Sequence, residues 1–252
     1  MTAWVRVRAG NREVYGEGQA GQTVQVWTDA PWRGGVATAE RLAPEDYQLL
    51  APTMPSKIVA VGRNYVDHAA EMKATVPVEP VIFLKPPTTV LAPGGEILYP
   101  AQSRRVDYEG ELAVVIGQAA RHLTPEAAAA AIWGYTIAND VTARDLQKRD
   151  EQWTRSKGFD TFCPLGPAIV RELSLQAQLE TWLNGERKQA ALLQEMVFKP
   201  PVLVSYISQV MTLLPGDVIL TGTPAGIGPM QPGDEVEVRI TGIGSLGNRV
   251  KG

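Results

Sequence analysis

Glu109 and Glu111, in the stretch RVDYEGELAVVIG, stand two residues apart at the mouth of an apolar run. Alternation along a strand sends both carboxylates to one side. Like charges so placed repel unless a cation or water lies over that face, and the next residues on it, Ala113 and Val115, do not look solvent-facing. Asp140, closing the segment GYTIAND, offers a third carboxylate. Three hard oxygen donors suit Mg²⁺ or Mn²⁺, ions that leave coordination positions for a substrate's own oxygens. Ion pairing with Arg104, Arg105 or Arg144 is the other reading of the glutamates, and helix capping that of Asp140.

A second constellation lies in VGRNYVDHAAEM. On one helical turn His68 and Glu71 are i,i+3 neighbours, so the carboxylate can hold the imidazole and raise its basicity, as a general base requires. A solvent-facing helix histidine is the plain alternative. Three stretches suit an anion: Gly62-Arg63-Asn64, TRSKGFD with Arg155 and Lys157, and TGTPAGIG. The last has no P-loop lysine, but its glycines and hydroxyls can present backbone amides to a carboxylate or carbonyl oxygen.

The elements that must position these groups are mostly strands. KIVAVG, VIFLKP, ELAVVIG, GYTIAND, AIVREL and the segment around TWLNGERK read as strands, with Asn184-Gly185 as a hairpin turn. Two Pro-Gly-Asp turns lead into further strands near the end. Helices are expected from Thr124 to just before Gly134, from Thr142 through Trp153, and through VLVSYISQVMTLL, where Val204, Ile207, Ser208 and Met211 make one stripe. Without regular βαβ alternation, the fold class is mixed α/β and β-rich. The chain divides at LLAPTMPSK into a small β-rich N-terminal domain, residues 1–52, and a larger domain, residues 53–252.

The 252 residues carry a net charge of −3 and no basic tract, which argues against a nucleic-acid partner. The single cysteine, Cys163, excludes an internal disulfide and a cysteine-built zinc cluster. No apolar run approaches the ~18 residues needed to span a bilayer, and the N-terminus lacks a signal-peptide core. A cytoplasmic protein without a membrane partner is expected.

Several long motifs occur in order: KIVAVGRNYVDHAAEM, FLKPPTT, DYEGELAVVIG, GYTIANDVTARD, KGFDTFCPLGP, SYISQVMTLLPGDVILTGTPAGIG and PGDEVEV. Across roughly Lys57 to Val250 the chain resembles the fumarylacetoacetate hydrolase family, in its bacterial branch of 2-hydroxyhepta-2,4-diene-1,7-dioate isomerases and acylpyruvate hydrolases. The resemblance implies a β roll with a bent barrel-like sheet and a homodimer. It implies that Glu109, Glu111 and Asp140 bind Mg²⁺ or Mn²⁺, and that His68, Glu71 and Lys157 are catalytic. It further implies that Arg63, Tyr65, Lys85, Lys157, Gly222 and Thr223 face a small 2-oxo or 2-hydroxydienoic diacid. The activity it implies is isomerisation of 2-hydroxyhepta-2,4-diene-1,7-dioate in aromatic catabolism, with possible decarboxylation of its precursor. Hydrolysis of an acylpyruvate or fumarylpyruvate and decarboxylation of oxaloacetate need the same metal enolate and stay open, because family motifs fix a site more firmly than a product. A non-catalytic binding protein, with Trp133, Trp153 and Trp182 as stacking platforms, is the alternative of another class.

Overall fold

The computed structural model of the chain describes residues 2–252. Short β-branched and aromatic runs, cut by Gly and Pro, form strands in three sheets. The largest has twelve strands. Its main path runs Ala37–Leu42, Val24–Trp27, Arg12–Glu17, Ala3–Ala9, Cys163–Val170, Ile132–Asn139, Gly110–Ile116, Val218–Leu220, Ile58–Gly62 and Val81–Lys85. Most neighbours are antiparallel; Val218–Leu220 and Ile58–Gly62 run parallel. The β-rich mixed fold is thus as expected, but the sheet is open, ending at Ala37–Leu42 and Val81–Lys85, and does not close into a barrel.

The strand Gly110–Ile116 is buried along its whole length because both of its faces are covered. Leu112 packs on the five-stranded sheet through Leu179 and Val238, while Val114 and Ile116 meet the helices Pro125–Ala131 and Pro200–Val210. On the other face Ala113 touches the cluster of Ala60, Leu165 and Leu220. A strand enclosed this way reads as a continuous apolar run, and each such side chain contributes about 2 kcal/mol by burial.

The first fifty residues continue the large sheet through Ala3–Ala9, which pairs antiparallel with Cys163–Val170 at Ala3↔Val170 and Trp4↔Ile169. Trp4 meets Trp27 edge to face at 4.5 Å, and Trp32 meets Trp133 at 5.9 Å. The Arg171 guanidinium lies 3.7 Å over the Trp133 ring. Among the described residues no helix is long and apolar enough to cross a membrane.

Local chemistry explains most turns. Asn184 and Gly185 take φ of 51° and 80°, as a two-residue hairpin between Gln178–Leu183 and Glu186–Leu192 demands. In both Pro-Gly-Asp turns the glycine has positive φ and the aspartate accepts the amide three residues back, from Leu214 and from Gln231.

All three helices differ from their expected spans; the one expected through VLVSYISQVMTLL covers Pro200–Val210, and Met211, expected on its stripe, is already extended. The first, capped by Thr124, ends at Ala131, because Ile132 already pairs with Ile116 and Trp133 lies in the strand Ile132–Asn139. The second is split. Thr142–Ala143 is a short strand, a helix spans Arg144–Arg149, and Asp150 is extended before a further turn at Thr154–Lys157. Asp150 accepts the Arg155 guanidinium at 2.7 Å across this break. The chain thereby changes direction, and Lys157 enters the acid cluster rather than continuing the helix axis.

Candidate active site

Glu109 occupies the break between Val106–Tyr108 and Gly110–Ile116. Its N–H donates to Asn139 Oδ1 at 2.9 Å, and its carbonyl accepts the Asp140 N–H at 2.8 Å. A side chain at Gly110 would run into Thr181 Oγ1, 2.1 Å from a Cβ there, so this first position of the strand needs glycine. Gly110 pairs with Asn139 and Glu111 with Ala138, and this register sets both glutamates beside Asp140. Carboxylate oxygens of the three acids lie within 4.8 Å of one another, all buried.

The charges around the triad are unevenly matched. Lys157 Nζ donates to Glu109 Oε2 at 2.7 Å and to Asp140 Oδ2 at 2.6 Å, and Lys85 Nζ donates to Asp140 Oδ1 at 2.5 Å. Arg144 ion-pairs with Glu109 and, at 2.9 Å, with Asp107. Among the three arginines weighed as partners for the glutamates, Arg144 is the one that takes this place. Glu111 has no ion-pair partner among the described residues, and Lys157 acts on it only from a distance; its Oε2 accepts the Gly222 N–H, at 2.6 Å.

Titration follows from these partners. Burial raises the Glu109 carboxyl, but Lys157, Arg144 and His68 outweigh it and hold the group below its ordinary range. Burial, with the charges of Asp140 and Glu109, pushes Glu111 well above its range. Burial lowers Lys157, yet Asp140 and Glu109 reverse this and raise it. A buried carboxylate without an ion-pair partner, beside two more hard oxygen donors, fits a divalent metal ion held by Glu109, Glu111 and Asp140.

The helix Val66–Glu71 presents the second group. His68 Nδ1 meets Glu71 Oε2 at 3.2 Å, and His68 is only 6% exposed. Glu71 Oε1 accepts the Gly226 N–H at 3.1 Å. Two amides of TGTPAGIG, those of Gly222 and Gly226, therefore serve the protein's own carboxylates. This corrects the expectation that this loop offers them to a ligand.

Glu109, Glu111, Asp140, His68, Arg63, Lys157 and Thr223 line one cavity of about 190 Å³. Arg63 does so from a left-handed backbone conformation, φ 61°, anchored by the neighbouring Asn64, whose side chain bonds Thr221 O and Phe198. Thr223 Oγ1 donates to Gly110 O at 2.9 Å. Four expected site residues stand behind this wall. Glu71 backs His68, Lys85 backs Asp140 and Gly222 backs Glu111. Tyr65 packs in the core with Leu112 and Met196, its hydroxyl without a partner among the described residues.

The helix Arg144–Arg149 adds Arg144, Gln147 and Lys148 to the cavity. Their i,i+3,i+4 spacing in ARDLQKRD was the available signal, and it carries polar residues where an amphipathic reading looks for apolar ones. Val61, Met72, Phe83 and Trp153 supply the apolar wall, with Phe83 and Trp153 edge to face at 5.2 Å. Of the three tryptophans weighed as stacking platforms, only Trp153 faces this cavity; Trp133 lies in the N-terminal seam and Trp182 under Arg239.

Comparison with known proteins gives a consistent picture. The profile of the C-terminal domain of fumarylacetoacetate (FAA) hydrolase matches residues 57–251, and an Rv2993c-like N-terminal profile matches residues 3–52. The structure is similar to a 2-hydroxyhepta-2,4-diene-1,7-dioate isomerase from Mycobacterium marinum, with TM-score 0.91 and 42% identity, covering 100% of this chain and 98% of that one. Human mitochondrial oxaloacetate tautomerase FAHD2A is 44% identical over 83% of this chain and 71% of its own length. A Pseudomonas aeruginosa fumarylpyruvate hydrolase, solved in complex with Mn²⁺ and pyruvate, aligns with TM-score 0.75 and 33% identity over 81% of this chain and 91% of its own. With a profile match spanning most of its length, the chain belongs to the fumarylacetoacetate hydrolase family.

Proposed function

We propose that this protein is a divalent-metal-dependent isomerase of 2-hydroxyhepta-2,4-diene-1,7-dioate or a closely related 2-oxo diacid. The observation that carries the reading is the convergence of a buried acid triad, one member without an ion-pair partner, and a carboxylate-held histidine on a single cavity. Bound at the triad, Mg²⁺ or Mn²⁺ supplies Lewis-acid stabilisation of negative charge on a 2-oxo acid's oxygens.

The chain's own residues do the rest. Isomerisation removes the 2-hydroxyl proton and delivers a proton to C5, while the C2=C3 and C4=C5 bonds become C2=O and C3=C4. Glu71 holds His68 Nδ1, which leaves Nε2 as the nitrogen that moves the proton. Arg63 offers positive charge to a carboxylate of the substrate. Phe83, Trp153 and Met72 limit water at the carbon being protonated, which favours isomerisation over hydrolysis. Keto–enol exchange of oxaloacetate is the second reading, favoured by the similarity to the human tautomerase; it asks the same base to act at C3 of a shorter diacid.

The test is incubation with Mg²⁺ or Mn²⁺ in D₂O, followed by NMR. Deuterium at C5 of a product that keeps all seven carbons supports the isomerase. Faster exchange at C3 of oxaloacetate moves the assignment to tautomerase. Pyruvate released from fumarylpyruvate, or carbon dioxide from oxaloacetate, at higher kcat/KM moves it to hydrolase or decarboxylase. Turnover of none of these returns the binding-protein reading.

A further inference from the structure

A second cavity, of about 380 Å³, lies against the first and shares Met72, Arg144 and Lys148 with it. Four cations line it: Lys73, Arg105, Arg144 and Lys148. Its two acids are already engaged. Asp107 lies between Arg105 and Arg144, each at 2.9 Å, and Glu71 is taken by His68 and the Gly226 amide. Lys73 and Lys148 have no carboxylate within ion-pair distance among the described residues and differ in this from Arg105, Arg144 and Lys157. Met72 and Ile227 give the same cavity an apolar side.

This arrangement changes which groups can receive the far end of a diacid. Lys157, expected from sequence to do so, is held between Glu109 and Asp140. Arg63 stays available on the inner cavity, and two further cations without an ion-pair partner among the described residues, Lys73 and Lys148, line the outer one past Met72.

We infer that the outer cavity is a carboxylate subsite in which Lys73 and Lys148 hold the second acid group of a 2-oxo dicarboxylate whose hydrocarbon chain passes Met72. The inference rests on the reading of the triad as the seat of the 2-oxo acid head. Selection for a diacid then comes from two lysines on separate elements, one just past the helix Val66–Glu71 and one in the helix Arg144–Arg149. A substrate carrying both acid groups bridges these elements, whereas a monoacid leaves the lysines in water.

The test uses a matched pair of probes, 2-oxoadipate and 2-oxohexanoate, which differ in the terminal carboxylate. Affinity of the Mn²⁺-loaded protein is read from quenching of tryptophan fluorescence, since Trp153 lines the inner cavity. Wild type is expected to favour 2-oxoadipate by about tenfold or more, and the K73M/K148M double variant to reduce that preference to near parity. Lys251→Met, on the five-stranded sheet and paired with Glu96, is the control that keeps the full preference. No preference in wild type, or a preference the double variant keeps, overturns the subsite. Exchange of the C3 protons of 2-oxoadipate in D₂O, followed in the same samples, tests the enolisation chemistry separately. Lost preference with persisting exchange points to the subsite as the failed step, and preference without exchange points to the activity.

Discussion

Gln189 and Thr223 are joined by a 2.8 Å hydrogen bond from Gln189 Nε2 to Thr223 Oγ1, deep between the strand Glu186–Leu192 and the loop carrying Gly222. The same amide donates to Pro224 O at 2.8 Å, and Gln189 Oε1 accepts the Gly110 N–H at 3.0 Å. One buried side chain thus ties the peptide between the two glutamates to the loop that steadies Glu111 and Glu71. Gln189→Leu leaves the Gly110 amide unpaired at a cost of about 1–3 kcal/mol. The expected outcome is a lower denaturation midpoint in urea, together with weaker Mn²⁺ binding by calorimetry.

Removing single acids of the triad should separate metal binding from folding. Glu111→Gln deletes a buried carboxylate that forms no ion pair, so metal-free protein should be as stable as wild type or more so, while Mn²⁺ affinity falls at least about a hundredfold. Asp140→Asn removes the shared partner of Lys85 and Lys157 and should destabilise the metal-free protein instead. Thermal unfolding with and without Mn²⁺ reads both effects; equal loss of metal-free stability in the two variants would contradict this assignment.

The pH response has a definite sign. Because folding raises the Glu111 carboxyl above its unfolded value, the stability linked to this group is complete below the unfolded pKa and is lost as pH rises towards the folded one. Glu109 is depressed, so its contribution is present at neutral pH and lost on acidification through the folded pKa. The rise in Tm on adding Mn²⁺ should therefore be larger at pH 8 than near pH 5, where protons compete for the ligands. Scanning calorimetry at both pH values checks this, and Glu111→Gln should remove most of the difference.

His68→Asn should lower the proton-exchange rate by about a hundredfold to ten-thousandfold, with Tm little changed, because the imidazole faces the cavity rather than the core. Glu71→Gln should cost less, about tenfold, since an amide can still meet His68 Nδ1. Stopped-flow NMR exchange or coupled kinetics would distinguish these; a wild-type rate in His68→Asn would remove it as the base.

Cys163 lies in the large sheet with no exposed surface, and burial pushes its thiol up to about 12. The native protein should be inert to a disulfide reagent at pH 8 and should release one thiol equivalent per chain on unfolding.

What the residues alone revealed, and what they did not, divides by range. The His68–Glu71 pair was legible because a helical turn fixes its spacing, and the glutamates as two like charges two residues apart at an apolar run, although only Glu111 lies in the strand and Glu109 stands in the break before it. The place of Lys157 was not, since it depends on Asp150 breaking a helix that the periodicity carries straight through. The Gly222 and Gly226 amides of TGTPAGIG read as a ligand nest for a similar reason: their acceptors, Glu111 and Glu71, lie more than a hundred positions away in sequence. Arg144 was visible only as one of three arginines, and the pairing of Thr142–Ala143 with Val106–Tyr108, which brings it to Asp107 and Glu109, decides among them. The N-terminal strands were expected from alternation, but their pairing with Cys163–Val170 depends on a partner some 160 residues distant.

That pairing also bears on how the newly made chain stays out of trouble. Ile169 and Val170 would otherwise end an edge next to Trp133 and Val115, an apolar strip with open backbone groups of the kind that recruits a second molecule. Ala3–Ala9 covers it, and Trp4 and Trp32 close over the ring of Trp133. Since this cover leaves the ribosome well before its partner strand, the sheet meets its guard already made, and a chain lacking residues 1–50 should precipitate rather than merely lose a module.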